Sequence, residues 1–184
     1  MKAIVQLSCM FLPWPLRRLV LRGLLGFKID PTARIGLSLI LADKVVMARG
    51  TKIGQFNYVG KLDLLQMDDE AHFGNFNWIT GLARRLNSPF YTNRPTRRSE
   101  LIMGRCSVFM HRNYIDCTDR VELGPFCGIG GVRSQLLTHG IEPIASRQSC
   151  APIRIGAYTM IGGGSLILKG VEVPDRCIVA AGSV

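Results

Sequence analysis

The apolar residues of this chain recur every sixth position, a spacing that belongs neither to an α-helix nor to an alternating strand. From Ile29 the positions Ile29, Ile35, Leu41, Met47, Ile53 and Val59 fall in phase. Each is followed by a small or tightly turning residue: Asp30, Gly36, Ala42, Ala48, Gly54 and Gly60. The phase slips and resumes at Met67, Phe73 and Ile79, at Met103, Phe109 and Ile115, and at Leu123 and Ile129. It is cleanest in the last block, Ile155, Ile161, Ile167, Val173 and Val179. Four positions after the aliphatic residue a second small residue recurs, as at Ala33, Thr51, Ala71, Ser107, Thr159, Ser165 and Ser183.

A period of six suits a prism with three flat faces. Each face is a short strand, each corner is a tight turn, and one aliphatic residue per face points inward onto its equivalents in the coils above and below. The pattern therefore predicts an all-β solenoid over residues 29–184, with about six or seven coils of three hexads each. The glycine that often follows the aliphatic residue is expected to permit backbone conformations that a Cβ resists. The first and last coils of such a stack expose open strand edges that need covering.

Two segments break the period. Residues 81–100 hold five arginines (Arg84, Arg85, Arg94, Arg97 and Arg98) and read as an excursion loop thrown out from a coil corner. Residues 138–152 break it again. Loops on a rigid scaffold are where function tends to sit. Residues 1–28 precede the solenoid, and within them Leu16, Leu19, Val20 and Leu24 follow helical spacing, with Arg17, Arg18 and Arg22 interspersed. Two readings fit this helix: a cap on the open first coil, which the solenoid needs, or a basic amphipathic helix lying on an anionic membrane surface.

Composition narrows the partners. A formal net charge of +10 favours anionic ones. Nucleic acid is not expected, because no interleaving of aromatic and basic residues suggests a base-stacking platform. Six cysteines contain no C-x-x-C pair, so they read as free thiols in a reducing cytoplasm. The N-terminal stretch is interrupted by Pro13 and Pro15 and reads as neither a signal peptide nor a membrane span.

The aliphatic–Gly–x–x–small–x repeats, the run from Ile155 through Gly156, Ile161, Gly162 and Gly163 to Val171, and the ending Ile178-Val-Ala-Ala-Gly-Ser-Val184 resemble the hexapeptide-repeat acyltransferases. The nearest likeness is to bacterial sugar O-acetyltransferases of the maltose, galactoside and colanic-acid types. The resemblance covers residues 29–184. It implies a left-handed parallel β-helix, an exception to the usual right-handed crossover. It also implies a homotrimer with acetyl-CoA as acyl donor in the groove between neighbouring prisms. The acceptor it implies is a sugar or lipid-linked sugar in surface-polysaccharide or lipopolysaccharide biosynthesis.

By the same resemblance His139, in Leu137-Thr138-His139, is the catalytic base, and imidazole titrates where such a base must. His111 and Asn113 are both candidates for orienting the acceptor. Gly163 and Ala181 match positions that meet the pantetheine arm, and Lys169 is a candidate for a CoA phosphate. No serine or cysteine has a nucleophile-elbow context, which favours direct transfer over an acyl-enzyme. Two other functions share the architecture. A zinc hydratase of the γ-carbonic anhydrase kind needs three histidine ligands, two of them close in sequence, whereas His72, His111 and His139 are far apart. A non-catalytic trimeric scaffold needs only the loops.

Overall fold

The computed structural model describes residues 1–86, 88–92 and 94–184. Among these, short strands stack in parallel into sheets of seven, seven and six strands, which form the three faces of a left-handed β-helix. The chain visits face 1, face 2 and face 3 in turn, then steps up one coil and repeats.

The inward residues form one ladder per face. On face 1 Ile29, Met47, Met67, Met103, Leu123, Ile155 and Val173 lie in register. On face 2 the ladder is Ile35, Ile53, Phe73, Phe109, Ile129, Ile161 and Val179. On face 3 it is Ile40, Val59, Ile79, Ile115, Leu136 and Ile167. The hexad phase holds with one correction in the first coil. Ile40 is fully buried there and Leu41 only half so, because five residues, not six, separate the face 2 peg Ile35 from its successor. Face 1 also has a second inward row, Val45, Leu65, Leu101, Val121 and Ile153. Its strands are long enough to point two side chains inward.

The glycines do a different job from the expected one. Gly54 and Gly74 do not adopt the left-handed conformation. A Cβ on Gly54 would stand 2.4 Å from the carbonyl oxygen of Gly74, and one on Gly74 at 2.4 Å from that of Met110. They are glycine because the next coil passes too close. Left-handed corners fall elsewhere, on glycines such as Gly50, Gly131 and Gly164 and on non-glycine residues such as Phe56, Glu70, Phe76, Arg112, Phe126 and Tyr158. At the corner between faces 2 and 3 an asparagine ladder closes the turns. Asn57 Oδ1 accepts from the Asn77 backbone N–H at 2.8 Å, and Asn77 Oδ1 from that of Asn113 at 3.0 Å.

The first 28 residues form two helices, α1 (Lys2–Ser8) and α2 (Trp14–Leu25), where the sequence suggested one. Pro15 in the first turn of α2 and Gly26 in a left-handed C-cap set its limits. Together they cover the open edge of the first coil. Gln6 donates to and accepts from the backbone of Ile40, Arg17 donates to the carbonyls of Ile35, Gly36 and Ser38, and Lys2 to those of Ala42 and Asp43. Edge groups that would otherwise lack partners are thereby satisfied. Among the described residues no helix is long and apolar enough to cross a membrane.

Phe109 is fully buried and stacks on Phe73 at 5.5 Å between ring centroids. Phe109→Ala is expected to lower unfolding free energy by about 3–5 kcal/mol. Phe90→Ala, on the exposed excursion, is expected to change it by less than about 0.5 kcal/mol. Urea denaturation of both variants checks the pair, and equal losses would contradict the peg-ladder core.

Candidate active site

Both breaks in the period leave from the corner between faces 3 and 1. The first excursion runs from Gly81 to Glu100 and contains two short 3-10 turns, Arg84–Leu86 and Pro89–Tyr91. The second, beyond the strand Gln135–Leu137, is an antiparallel hairpin of His139–Glu142 with Arg147–Cys150. The coil between them turns the same corner directly, through Thr118, Asp119 and Arg120. Arg97 ties the first excursion to this coil by donating to the carbonyls of Leu82 and Thr118. Tyr91 Oη then donates to Gln148 Oε1 at 2.9 Å, which joins the two excursions.

His139 begins the hairpin. Its ring lies one coil above Asp116, on the strand Tyr114–Cys117, with Nδ1 at 2.7 Å from Asp116 Oδ2. The same oxygen accepts from Thr138 Oγ1 at 2.8 Å and from the His139 backbone N–H at 3.1 Å. The other oxygen accepts from Thr118, through its backbone N–H and its hydroxyl. The carboxylate is thus buried but fully ligated, with 3% of its side chain exposed against 43% for His139.

Charge and protons follow from this geometry. Burial alone would raise the Asp116 pKa, but the hydrogen bonds from His139, Thr118 and Thr138 and the charge of His139 outweigh it and hold the carboxyl below its usual range. The hydrogen bond to Asp116 raises the His139 pKa above 6.5, against the opposing effect of burial, and the charge of Asp116 adds to it. An ionised Asp116 accepts the Nδ1 proton, so the neutral ring presents the Nε2 lone pair outward. Among the described residues Nε2 has no hydrogen-bond partner. The arrangement is an oriented base on a rigid wall. The stability it contributes is greatest between the two shifted values. The share of Asp116 fades as pH falls through its depressed pKa, and that of His139 as pH rises through its elevated one.

The other residues singled out in the sequence occupy two places. Lys169 lies at the His139 corner, where its ammonium pairs with Glu142 at 3.3 Å and donates to Ser149 Oγ, pinning the hairpin to the last coil. Hydrogen bonds from Ser149, Arg147 and Lys169 bring the Glu142 pKa down to about 2. His111, Asn113, Gly163 and Ala181 lie at the opposite edge of face 3, at the corner with face 2. There the His111 N–H donates to Gly131 O, and a Cβ on Gly163 would come within 3.1 Å of Gly131 Cα in the coil below. Asn113 is buried and its Oδ1 accepts from the Ser134 N–H at 2.9 Å, as a rung of the asparagine ladder. His111 is half-buried, and its Nδ1 accepts from the Asn75 N–H at 2.9 Å. One chain therefore does not bring Gly163 and Ala181 to His139.

Asp116 was not among the residues the sequence pointed to. Its signal was available: it occupies the position after the face 3 peg Ile115, where other coils hold Gly60 or Thr80 in register. Three buried cysteines are poor rivals to His139. Burial pushes the Cys117 thiol well up, Cys127 to about 12 and Cys150 to about 11, so all three stay neutral. All six cysteines are free. Among the described residues no group of three or more His, Cys, Asp and Glu side chains stands in metal-holding geometry. His72 lies on face 2 and forms no metal-holding group with His111 or His139 among the described residues.

A cleft of about 340 Å³ at the His139 corner is lined by Arg94, Arg98, Arg120 and Arg154, with Asp119 and Pro152. Asp119, Glu100 and Glu172 pair with three of these arginines, whereas Arg98 makes no ion pair among the described residues.

The sequence matches no protein-family model and no curated protein. Assignment of a function therefore rests on this geometry and on the motifs in the chain.

Asp116→Asn is expected to lower the His139 pKa, because the negative charge goes and the amide oxygen that replaces it is a weaker acceptor, while burial, which lowers it, stays. A proton NMR titration of the imidazole checks this. An unmoved pKa would show that the pair does not set the state of the ring.

Proposed function

We propose that this chain is an acyl-CoA-dependent acyltransferase that acetylates a sugar hydroxyl by direct transfer, working as a homotrimer. The observation that carries the reading is the Asp116–His139 pair at 2.7 Å, with Nε2 left open on a rigid β-helix corner.

His139 Nε2 removes the proton of the acceptor hydroxyl as its oxygen attacks the thioester carbonyl. Acetyl-CoA supplies the acetyl group and a thiolate leaving group, and backbone N–H groups hold the developing oxyanion. His139 then returns its proton to the departing sulfur. Asp116 keeps the ring in the tautomer with the proton on Nδ1 and stabilises the imidazolium while it exists. The neutral, buried thiols argue for this direct route over a cysteinyl intermediate. Arg98 is free to meet an anionic group, either a phosphate of CoA or that of a nucleotide-linked acceptor.

Two features support a trimer. Face 3 carries an outward aromatic stripe in which Tyr58 and Trp78 pack at 4.7 Å between ring centroids, next to Tyr114, and Trp78 is 55% exposed. The His139 corner and the Gly163–Ala181 corner flank that same face. A cyclic assembly through face 3 sets unlike edges of neighbouring copies side by side and completes a groove that one chain leaves half-built.

Release of CoA thiol from acetyl-CoA, screened against sugar nucleotides and simple glycosides, tests the reaction. His139→Ala is expected to lower kcat/KM by about 10²–10⁴-fold, with some loss of thermal stability because the buried Asp116 carboxylate loses a partner. Activity is expected to rise with pH through the elevated His139 pKa, because the base works deprotonated. In Asp116→Asn this acid limb moves to lower pH and the plateau falls. No acyl-CoA turnover with any acceptor would favour the scaffold reading instead. Dilution below the trimer's dissociation range is expected to abolish activity, and a fully active monomer would refute the shared groove.

A further inference from the structure

We infer that the two-helix cap is also an interfacial anchor, which lays its outer face on an anionic lipid bilayer. The inner side of the cap is occupied. Arg17 and Leu21 of α2 are buried, and Trp14, Val20 and Leu25 pack against the core. A helix that ends there should be polar on its other side. Instead Leu16 and Leu19, one turn apart, point to solvent, flanked by Leu24, and α1 adds Ile4 and Leu7. Phe11, in the turn between the helices, is 85% exposed. Apolar side chains clustered in this way at one end of a chain mark a docking surface.

Charge selects the occupant. Residues 1–29 contain Lys2, Arg17, Arg18, Arg22 and Lys28 and no acidic residue. Lys2, Arg17 and Arg18 are engaged with the backbone of the first coils. Arg22 and Lys28 are exposed and form no ion pair among the described residues, and with Leu19 and the single acid Asp30 they border a groove of about 900 Å³ between α2 and face 1. An apolar face rimmed by unneutralised cations is what lipid acyl chains beneath phosphate headgroups complement. A second copy of the chain fits less well. A two-fold contact through this face would set Arg22 and Lys28 near their own equivalents, with only Asp30 of each copy at the groove to offset them. Neither helix is long enough to span a bilayer, so the cap lies in the plane of the interface.

The full chain mixed with phosphatidylcholine vesicles, with and without phosphatidylglycerol, tests this by co-sedimentation. The expected result is partition onto the anionic vesicles that weakens as salt is raised. In the double variant Leu16→Ser, Leu19→Ser it should weaken by at least about tenfold. Both leucines are more than half exposed and outside the core, so circular dichroism and thermal unfolding of that variant should match the parent. No partition, or partition unchanged by the double variant, overturns the inference. So does a doubling of particle mass in light scattering, without vesicles, that the same substitutions abolish. None of these readouts depends on catalysis, so failure here leaves the proposed reaction standing.

Discussion

Everything in this molecule depends on the distance between successive coils. Parallel strands hydrogen-bond at a separation of about 4.8 Å, and that spacing repeats on all three faces. Side chains one coil apart are therefore always neighbours. Ile115 must lie on Ile79, and the residue after one peg must lie beside the residue after the next. The same spacing leaves no room for a Cβ at Gly54 or Gly74. Rigidity comes from the repeat itself, because a side chain that moves must displace its equivalents above and below.

The candidate site uses this spacing directly. Asp116 and His139 are 23 residues apart in the chain but sit on adjacent coils at one corner. The corner is also where the stack admits insertions, since a loop thrown out there leaves the ladders on either side intact. Two insertions at one corner, separated by a single coil, enclose a buried carboxylate that open solvent would leave unshielded. The hairpin does the burying, and the first excursion braces the hairpin through Tyr91 and Gln148.

The His139 corner and the Gly163–Ala181 corner lie on opposite edges of face 3, and the cap lies at the end of the stack. A prism separates these surfaces by construction. In the proposed reading one face serves assembly, one corner the base and one end a membrane, and none of them competes for the same side chains.

The period of six in residues 29–184 was sufficient to determine the solenoid, because a peg must recur wherever the chain returns to the same face. His139 was singled out only through the resemblance carried by Leu137-Thr138-His139, and the structure sets its ring beside Asp116. Other features depended on the third dimension. Whether Leu41 or Ile40 points inward turned on a strand one residue short. The role of Asn113 turned on the Asn57–Asn77 ladder beneath it, and that of Lys169 on the hairpin it pins. Asp116 stood out in the sequence as an acid where other coils hold Gly60 or Thr80, but its partner did not, because hydrophobic periodicity records which residues face inward and carries no record of what lies one coil above an outward one. That relation exists only after the chain has wound once around its own axis, and it is what places the carboxylate under the imidazole.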